Sequence, residues 1–282
     1  MNFMCVMLAA VALATGDMPK GTKIVRGRAT TPDGKYTYVV HSIGRNWLPV
    51  TQVDRGWCHN AAISAFDAKT GKFLNTVLLD DPDLGAAEPW DVVVSAKEII
   101  VAHSGSSEIS YIDRAAFERK LEAAGGKDLS TDMSFMAGIR RREKTPKQGP
   151  RKLQLLPDGK VKVTEYLEDR PGITKGELYF NDARLCFQQW QSCGTCHIDG
   201  RTDDMEWSFP RPYGFNQLEM TCDFGLLDIE PKRLEERMFK SAGPALFAEV
   251  DRAKTAEMGN YVRMIMDRGV RERAAKGGQK KK

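Results

Sequence analysis

The chain is poor in the residues that staple or stud a protein: 282 residues hold only six cysteines and four histidines. Cysteine at that density cannot form the framework of a small disulfide scaffold, so the fold must rest on a buried apolar core, for which the length is ample. No stripe of basic residues interleaved with aromatics appears, and the net charge of +4 is slight. Much of that charge sits in the tail Arg271 to Lys282, read as a basic, disordered end. Nucleic acid is therefore not an expected partner. The apolar run Phe3 to Ala14 is too short to span a bilayer, which takes about 20 residues, and no transmembrane span is expected. Its length and its terminal Ala12-Leu13-Ala14 triplet suit a signal peptide over residues 1–16. A basic leading region is missing, since the first lysine is Lys20; a buried strand is the alternative.

What is present is a weak repeat. Thr30 to Arg45, Val92 to Arg114 and Leu153 to Asp169 each carry a polar turn followed by a run of β-branched and aromatic residues. Asp33-Gly34 and Asp158-Gly159 are hairpin signals, and Thr70-Gly71 separates two further strands between Asn60 and Leu79. The turn lysines Lys35, Lys97 and Lys160 recur about every 62 residues. That exceeds the roughly 40–50 residues of a usual propeller blade. Insertions at Asn46 to His59 and a helical Arg114 to Gly126 account for the excess.

Beyond Asp169 the pattern changes. Arg170 to Trp190 reads as helical after a Pro-Gly break, with Leu178, Phe180 and Leu185 apolar; Arg211 to Gln217 reads as loop. Glu230 to Val250 and Asp251 to Gly269 read as helices, the second with Met258, Val262, Ile265 and Met266 on one face and Tyr261 beside them.

Between these helices stands Cys193-Gly-Thr-Cys196-His197, a C-x-x-C-H. Two thiols one helical turn apart can add to the two vinyl groups of a porphyrin, and the adjacent imidazole then lies under the iron. The spacing predicts one covalent haem c, with Cys193 and Cys196 as thioether attachment points and His197 as proximal iron ligand. Structural zinc would want four ligands, and only Cys186 and Cys222 are at hand to complete the set. A redox-active dithiol would start a helix after a strand. A motif without function is the last alternative.

Two family resemblances follow from these residues. Pro32 to Lys35 with Tyr38-Val39, and Ile109 to Asp113, resemble the repeats of the YVTN family of β-propellers over Gly27 to Asp169. About three blades are present, fewer than the four that close a ring, which implies a second subunit completing the propeller or a longer chain. Gly176, Phe180, Asp182, Arg184, Leu185, Ser192, Cys193, Cys196 and His197 resemble the first haem segment of the bacterial di-haem cytochrome c peroxidase family. That family has a second C-x-x-C-H, and none follows His197 here.

Together these give a multi-domain β + α chain. A partial β-propeller over 17–169 precedes a mainly α-helical cytochrome c-like domain over 170–270, and a basic tail spans 271–282. The expected function is exported, periplasmic electron transfer through one haem to a redox partner protein. A non-enzymatic propeller binding module with a degenerate haem segment, or a peroxidase-like enzyme needing a partner haem, are the alternatives. For the sixth iron ligand, Met220 and Met238 are the candidates by distance along the chain, while Met205 stands too close to His197 to cross the ring. His41 and His103 end similar strands and either face a haem or metal or form ordinary hydrogen bonds. Arg201 and Arg211 are candidate propionate partners, and Trp190 and Trp207 wall a haem or fill core. Asp203, Asp204 and Glu206 form a candidate cation site or a solvated turn, and Cys58, Cys186 and Cys222 leave room for one disulfide.

Overall fold

Asp33 and Gly34 make the turn that their residue types demand: the Asp33 carboxylate accepts from the Lys35 amide at 3.0 Å, and Gly34 takes φ +68°. A computed structural model describes residues 13–49, 52, 55–200, 205, 207–211, 214–218, 254, 256–265 and 268. Around the Asp33 turn, β1 (Thr22–Lys23) and β2 (Arg28–Thr30) both pair with β3 (Tyr36–Gly44). β3 then pairs with β4 (His59–Asp67), and β4 with β5 (Phe73–Leu78), all antiparallel. A second antiparallel sheet runs β6 (Pro89–Val94), β7 (Glu98–His103), β8 (Glu108–Asp113) and, after helix α1 (Arg114–Ala123), β9 (Arg140–Lys144). A third repeat supplies the hairpin β10 (Pro150–Leu155) and β11 (Val161–Tyr166).

The first strands of successive repeats meet: β2 packs on β6, and β6 on β10. The Gly27 amide even donates to the Trp90 carbonyl at 3.0 Å, across the seam. This radial stacking of antiparallel sheets is the plan of a partial, propeller-like fold. Every residue of β3 is buried, because both of its faces are covered, so no inside–outside alternation is visible in its sequence. One core fills the space between the first two sheets and α1. Tyr38, Ile63, Val101, Ile112 and Phe117 belong to it. The Phe117 ring lies edge-on to Tyr38 at 5.5 Å and to Phe135 at 5.3 Å. α1 forms as an insertion because the Asp113 side chain caps it, accepting from the Ala116 amide at 2.8 Å.

After Tyr166 the described elements are short. Helix α2 covers Lys175–Phe180 and helix α3 Cys193–Cys196; a tight turn at Ala183–Leu185 replaces the helix expected through Leu185. The Asp182 side chain, accepting from the Arg184 amide and paired with its guanidinium, caps that turn and ends the helical run. Of the stretch 211–217, expected as loop, Arg211 and Gly214 to Gln217 instead lie in the paired strands β12 (Trp207–Arg211) and β13 (Gly214–Leu218). Residues 256–265 are helical, burying Met258, Tyr261, Val262 and Ile265. The expected helix over 230–250, the apolar run 3–12 and the tail 271–282 lie outside the described residues. From Leu13 onward the chain is seated on the first sheet: Leu13 packs on Met18, Val39 and Phe66, and the Ala14 amide donates to the Gly71 carbonyl. No described helix is long and apolar enough to cross a membrane.

Candidate functional site

Cys193, Cys196 and His197 come together on one turn. The His197 amide donates to the Cys193 carbonyl at 3.0 Å, closing α3, and the Ser192 amide donates to Thr195 Oγ1 at 2.9 Å at its start. Three positions apart, the two half-buried cysteines share one side of the turn, and His197 caps its end. Cys193 packs among Phe180, Tyr261, Val262 and Ile265. The Phe180 ring lies edge-on to Tyr261 at 5.2 Å and 6.3 Å from the His197 ring. Only glycine fits at Gly176, where a Cβ would stand 2.0 Å from the Glu257 carbonyl oxygen; α2 and the 256–265 helix cross there. Burial, followed by the nearby Glu88 charge, pushes the Cys193 thiol up to about 12.

α3 is too short to hold itself, since isolated helices below about 12 residues are marginal in water. The sheets hold it. Glu88, buried just before β6, accepts from Thr195 Oγ1 at 3.0 Å and from Ser192 Oγ. Burial pulls the Glu88 carboxyl above its usual range, against those two bonds and the charges of Arg151 and Arg26. The Gly105 carbonyl accepts from the Ala183 amide at 2.9 Å, the Leu178 carbonyl from Gln148 Nε2 at 2.6 Å, and the Gln188 carbonyl from the Gly85 amide at 2.8 Å. Trp190, 3 % exposed, lies against Gly56 and Gly85 of the sheet loops. It thus anchors the segment as buried packing, one of the two roles its sequence position allowed.

Backbone strain gathers along this joint. Among described non-glycine residues with positive φ are Ile24, Glu88, Gln188, Gln189 and Asp199, all at or beside the seam between sheet and segment. Such conformations cost about 1–3 kcal/mol each and persist where surrounding contacts over-determine them.

The sheet presents one further imidazole here that the sequence reading passed over. His59, the first residue of β4, pairs across the ladder with Gly44 and is 3 % exposed. Its Nε2 lies 3.6 Å from Cys196 Sγ and 3.1 Å from Lys23 Nζ, and its Nδ1 lies 2.7 Å from Gln191 Oε1. Burial first, then the Lys23 ammonium, hold its pKa well below the ordinary value against the bond to Gln191. The available signal was scarcity alone: His59 is one of four histidines and sits in a stretch that reads as an insertion.

The other candidates fall as follows. His41 and His103 do not line a rim: both are fully buried inside their sheets. Each places Nε2 2.8 Å from a serine hydroxyl on the next strand, Ser64 and Ser110 respectively. The equivalence supports the internal repeat and removes both from any haem or metal. Cys58 is buried with its thiol 3.6 Å from the Pro49 carbonyl oxygen, and Cys186 is a buried free thiol. Met205 approaches the same corner as His59, its Sδ 2.9 Å from where a Cβ on Gly44 would stand, with Lys23 alongside. Among described residues no group of three or more His, Cys, Asp or Glu is arranged to hold a metal ion. Met220, Met238, Arg201, Asp203, Asp204, Glu206 and Cys222 lie outside the described residues, as do the side chains of Trp207 and Arg211.

No protein-family model matches the chain. It is 24 % identical over 140 residues to the protein named hydrazine synthase subunit beta of Kuenenia stuttgartiensis, covering 46 % of this chain and 35 % of that one. A solved structure of Kuenenia stuttgartiensis hydrazine synthase overlaps 53 % of this chain and 47 % of its own, with TM-score 0.46 and 23 % identity. The chain thus spans about a third of the length of the curated relative it matches.

Proposed function

We propose that this is an exported electron-transfer protein carrying one covalent haem c, with a partial β-propeller over 17–169 serving as the platform for a cytochrome c-like region over 170–270. The carrying observation is the single turn that presents Cys193, Cys196 and His197, clamped to the sheet by Glu88. The donor set fits the group. Cys193 and Cys196 would hold it as thioethers, each S–H adding across a vinyl group, and His197 would ligate the iron. Bound there, the haem supplies a one-electron couple; Phe180 and Tyr261 supply apolar packing, and the sheet holds the segment in place. Disulfide exchange is the poorer reading, because a redox-active pair opens a helix that follows a strand, whereas α3 follows the short turns at Ala183–Leu185 and Phe187–Gln189.

Partner subunits belong to the same reading. The curated relative is, by its name, a subunit, and this chain matches only part of it. A redox partner protein and a subunit extending the stacked sheets are therefore expected, outside the cytoplasm where haem is attached to such motifs. The test is a pyridine haemochrome spectrum of protein matured with a haem-attachment system. A c-type α band, shifted or weakened by Cys193→Ala, supports the proposal; absence of covalent haem from the wild type overturns it.

A further inference from the structure

We infer that the seam joining the three repeats is a binding site for a carboxylate, held on the guanidinium edges of Arg26 and Arg151 beside the C-x-x-C-H turn. Arg26 stands two positions before β2, Trp90 is the second residue of β6 and Arg151 the second of β10, so each repeat supplies one member at its stacked first strand. The Arg26 guanidinium carbon lies 3.8 Å from the Trp90 ring centroid, and that of Arg151 lies 3.9 Å from it. Two guanidiniums so close would collide on one face of the indole, so they cover its two faces, each in a cation–π contact.

Stacking occupies the planes of the guanidiniums and leaves their edges to bind. The Nε–H groups of Arg26 and Arg151 are both buried and meet no acceptor among the described residues. Buried donors without an acceptor are rare in folded proteins, so two of them on one cleft point to an acceptor brought from outside. Both side chains line that cleft, together with Ile24, Glu88, Gly194 and Asp199. Its inner space of about 20 Å³ takes a water-sized group and opens into some 340 Å³ that includes solvent, so it suits the head of a small anion. Ile24, Glu88 and Asp199 all hold positive φ, and strain of that kind collects at ligand sites. A guanidinium edge matches the two oxygens of a carboxylate. The acidic groups of the cleft itself do not fill that role. Glu88 is turned to Ser192 and Thr195, and Glu88 and Asp199 act on Arg151 through space, without an ion pair to either arginine among the described residues. Gly194 lies in α3 and Asp199 just after it, so a carboxylate bound here ties all three repeats to the motif turn. A ligand of that size is separate from any haem.

The experiment titrates the full-length protein with sodium acetate at constant ionic strength and follows the arginine Nε–H resonances by proton–nitrogen NMR. The Arg26 and Arg151 signals, identified by their contacts to the Trp90 ring, should move saturably with acetate and stay still with acetamide, its neutral isostere. With acetate at ten times its dissociation constant, exchange at the His197 amide should slow about tenfold, because the anion binds only the closed joint. Arg26→Lys and Arg151→Lys keep the charge but lose the planar fork, and each should weaken acetate by about tenfold or more. If neither resonance moves, or if chloride moves both as acetate does, the inference is overturned. It is overturned equally if both lysine variants bind acetate as the wild type does. The acetate, acetamide and chloride titrations use the wild type alone, so a variant that fails to fold leaves the test standing. A glutamate-rich peptide separates two sources of the same chemistry. Binding tighter than acetate, read on the same two signals, assigns the carboxylate to a partner chain; weaker binding assigns it to a free small anion, and both keep the site. Covalent haem is read separately by the haemochrome, so failure of either proposal is distinguishable from failure of the other.

Discussion

The stacked sheets and the C-x-x-C-H segment are built on opposite economies of contact. In the sheets, β3 and β4 are buried nearly end to end, and Tyr38, Ile63, Ile99 and Phe117 are fully enclosed by one another. In the segment, α2 has six residues and α3 four, and several of the bonds that fix them reach to the sheets through Glu88, Gly85, Gly105, Gln148 and His59. The first region is held by its own apolar pattern. The second is held by a polar joint whose strained backbone is maintained from outside.

That contrast can be broken or sharpened by experiment. Phe117→Ala should cost the sheets about 3–5 kcal/mol, the usual loss for a fully buried aromatic, read as a lowered denaturant midpoint. If hydrogen exchange shows α3 opening at the same midpoint, the segment has no stability separate from the sheets. If α3 opens earlier, the division into two regions stands.

A second test uses pH. Burial lowers the His41 pKa from 6.5 to about 4, against the bond to the Ser42 carbonyl. Between those values the unfolded chain binds the proton and the folded sheet does not. The contribution is therefore whole above pH 6.5 and is lost as pH falls toward 4. Relative to His41→Gln, the wild type should lose roughly 3 kcal/mol over that range. Asp80 and Glu88, whose carboxyls burial raises, act in the opposite sense but cancel in this difference. A flat difference between the two proteins would show that the imidazole is hydrated.

The smallest expected effect isolates the joint. Glu88→Ala removes the acceptor of Ser192 and Thr195 and should cost about 1–3 kcal/mol locally, the range for buried hydroxyls left without a partner. Exchange at the His197 amide should quicken about 5- to 150-fold, by the tenfold-per-1.4 kcal/mol conversion, with the midpoint of the sheets little changed. Equal loss in both regions would make Glu88 a core residue of the sheets instead of a clamp.

Much of the sheet region was legible along the chain. Asp33-Gly34, Thr70-Gly71 and Asp158-Gly159 mark turns by local chemistry, and β-branched runs between them have one outcome in backbone conformation. The helix over 256–265 shows its apolar face at the expected spacing. Leu185 misled because Asp182 and Arg184, two residues apart, close an ion pair that ends the helix. Arg211 and Gly214 to Gln217 misled because nothing in their residue types says that they pair as strands. For the candidate site, the C-x-x-C-H is visible as a pattern along the chain, but the histidines first singled out, His41 and His103, are internal to the sheets. His59, in a stretch without pattern, faces the motif.

The sequence by itself determined the local grammar: turns, strand runs, and two thiols and an imidazole spaced for one helical turn. These depend on side-chain chemistry within a few residues. The tertiary structure alone decided which partners meet: Glu88 with Ser192 across 104 positions, and His59 with Gln191 across 132. Pairings at such separations leave no periodicity to read, because they arise only when the sheets have stacked and brought distant edges to one seam.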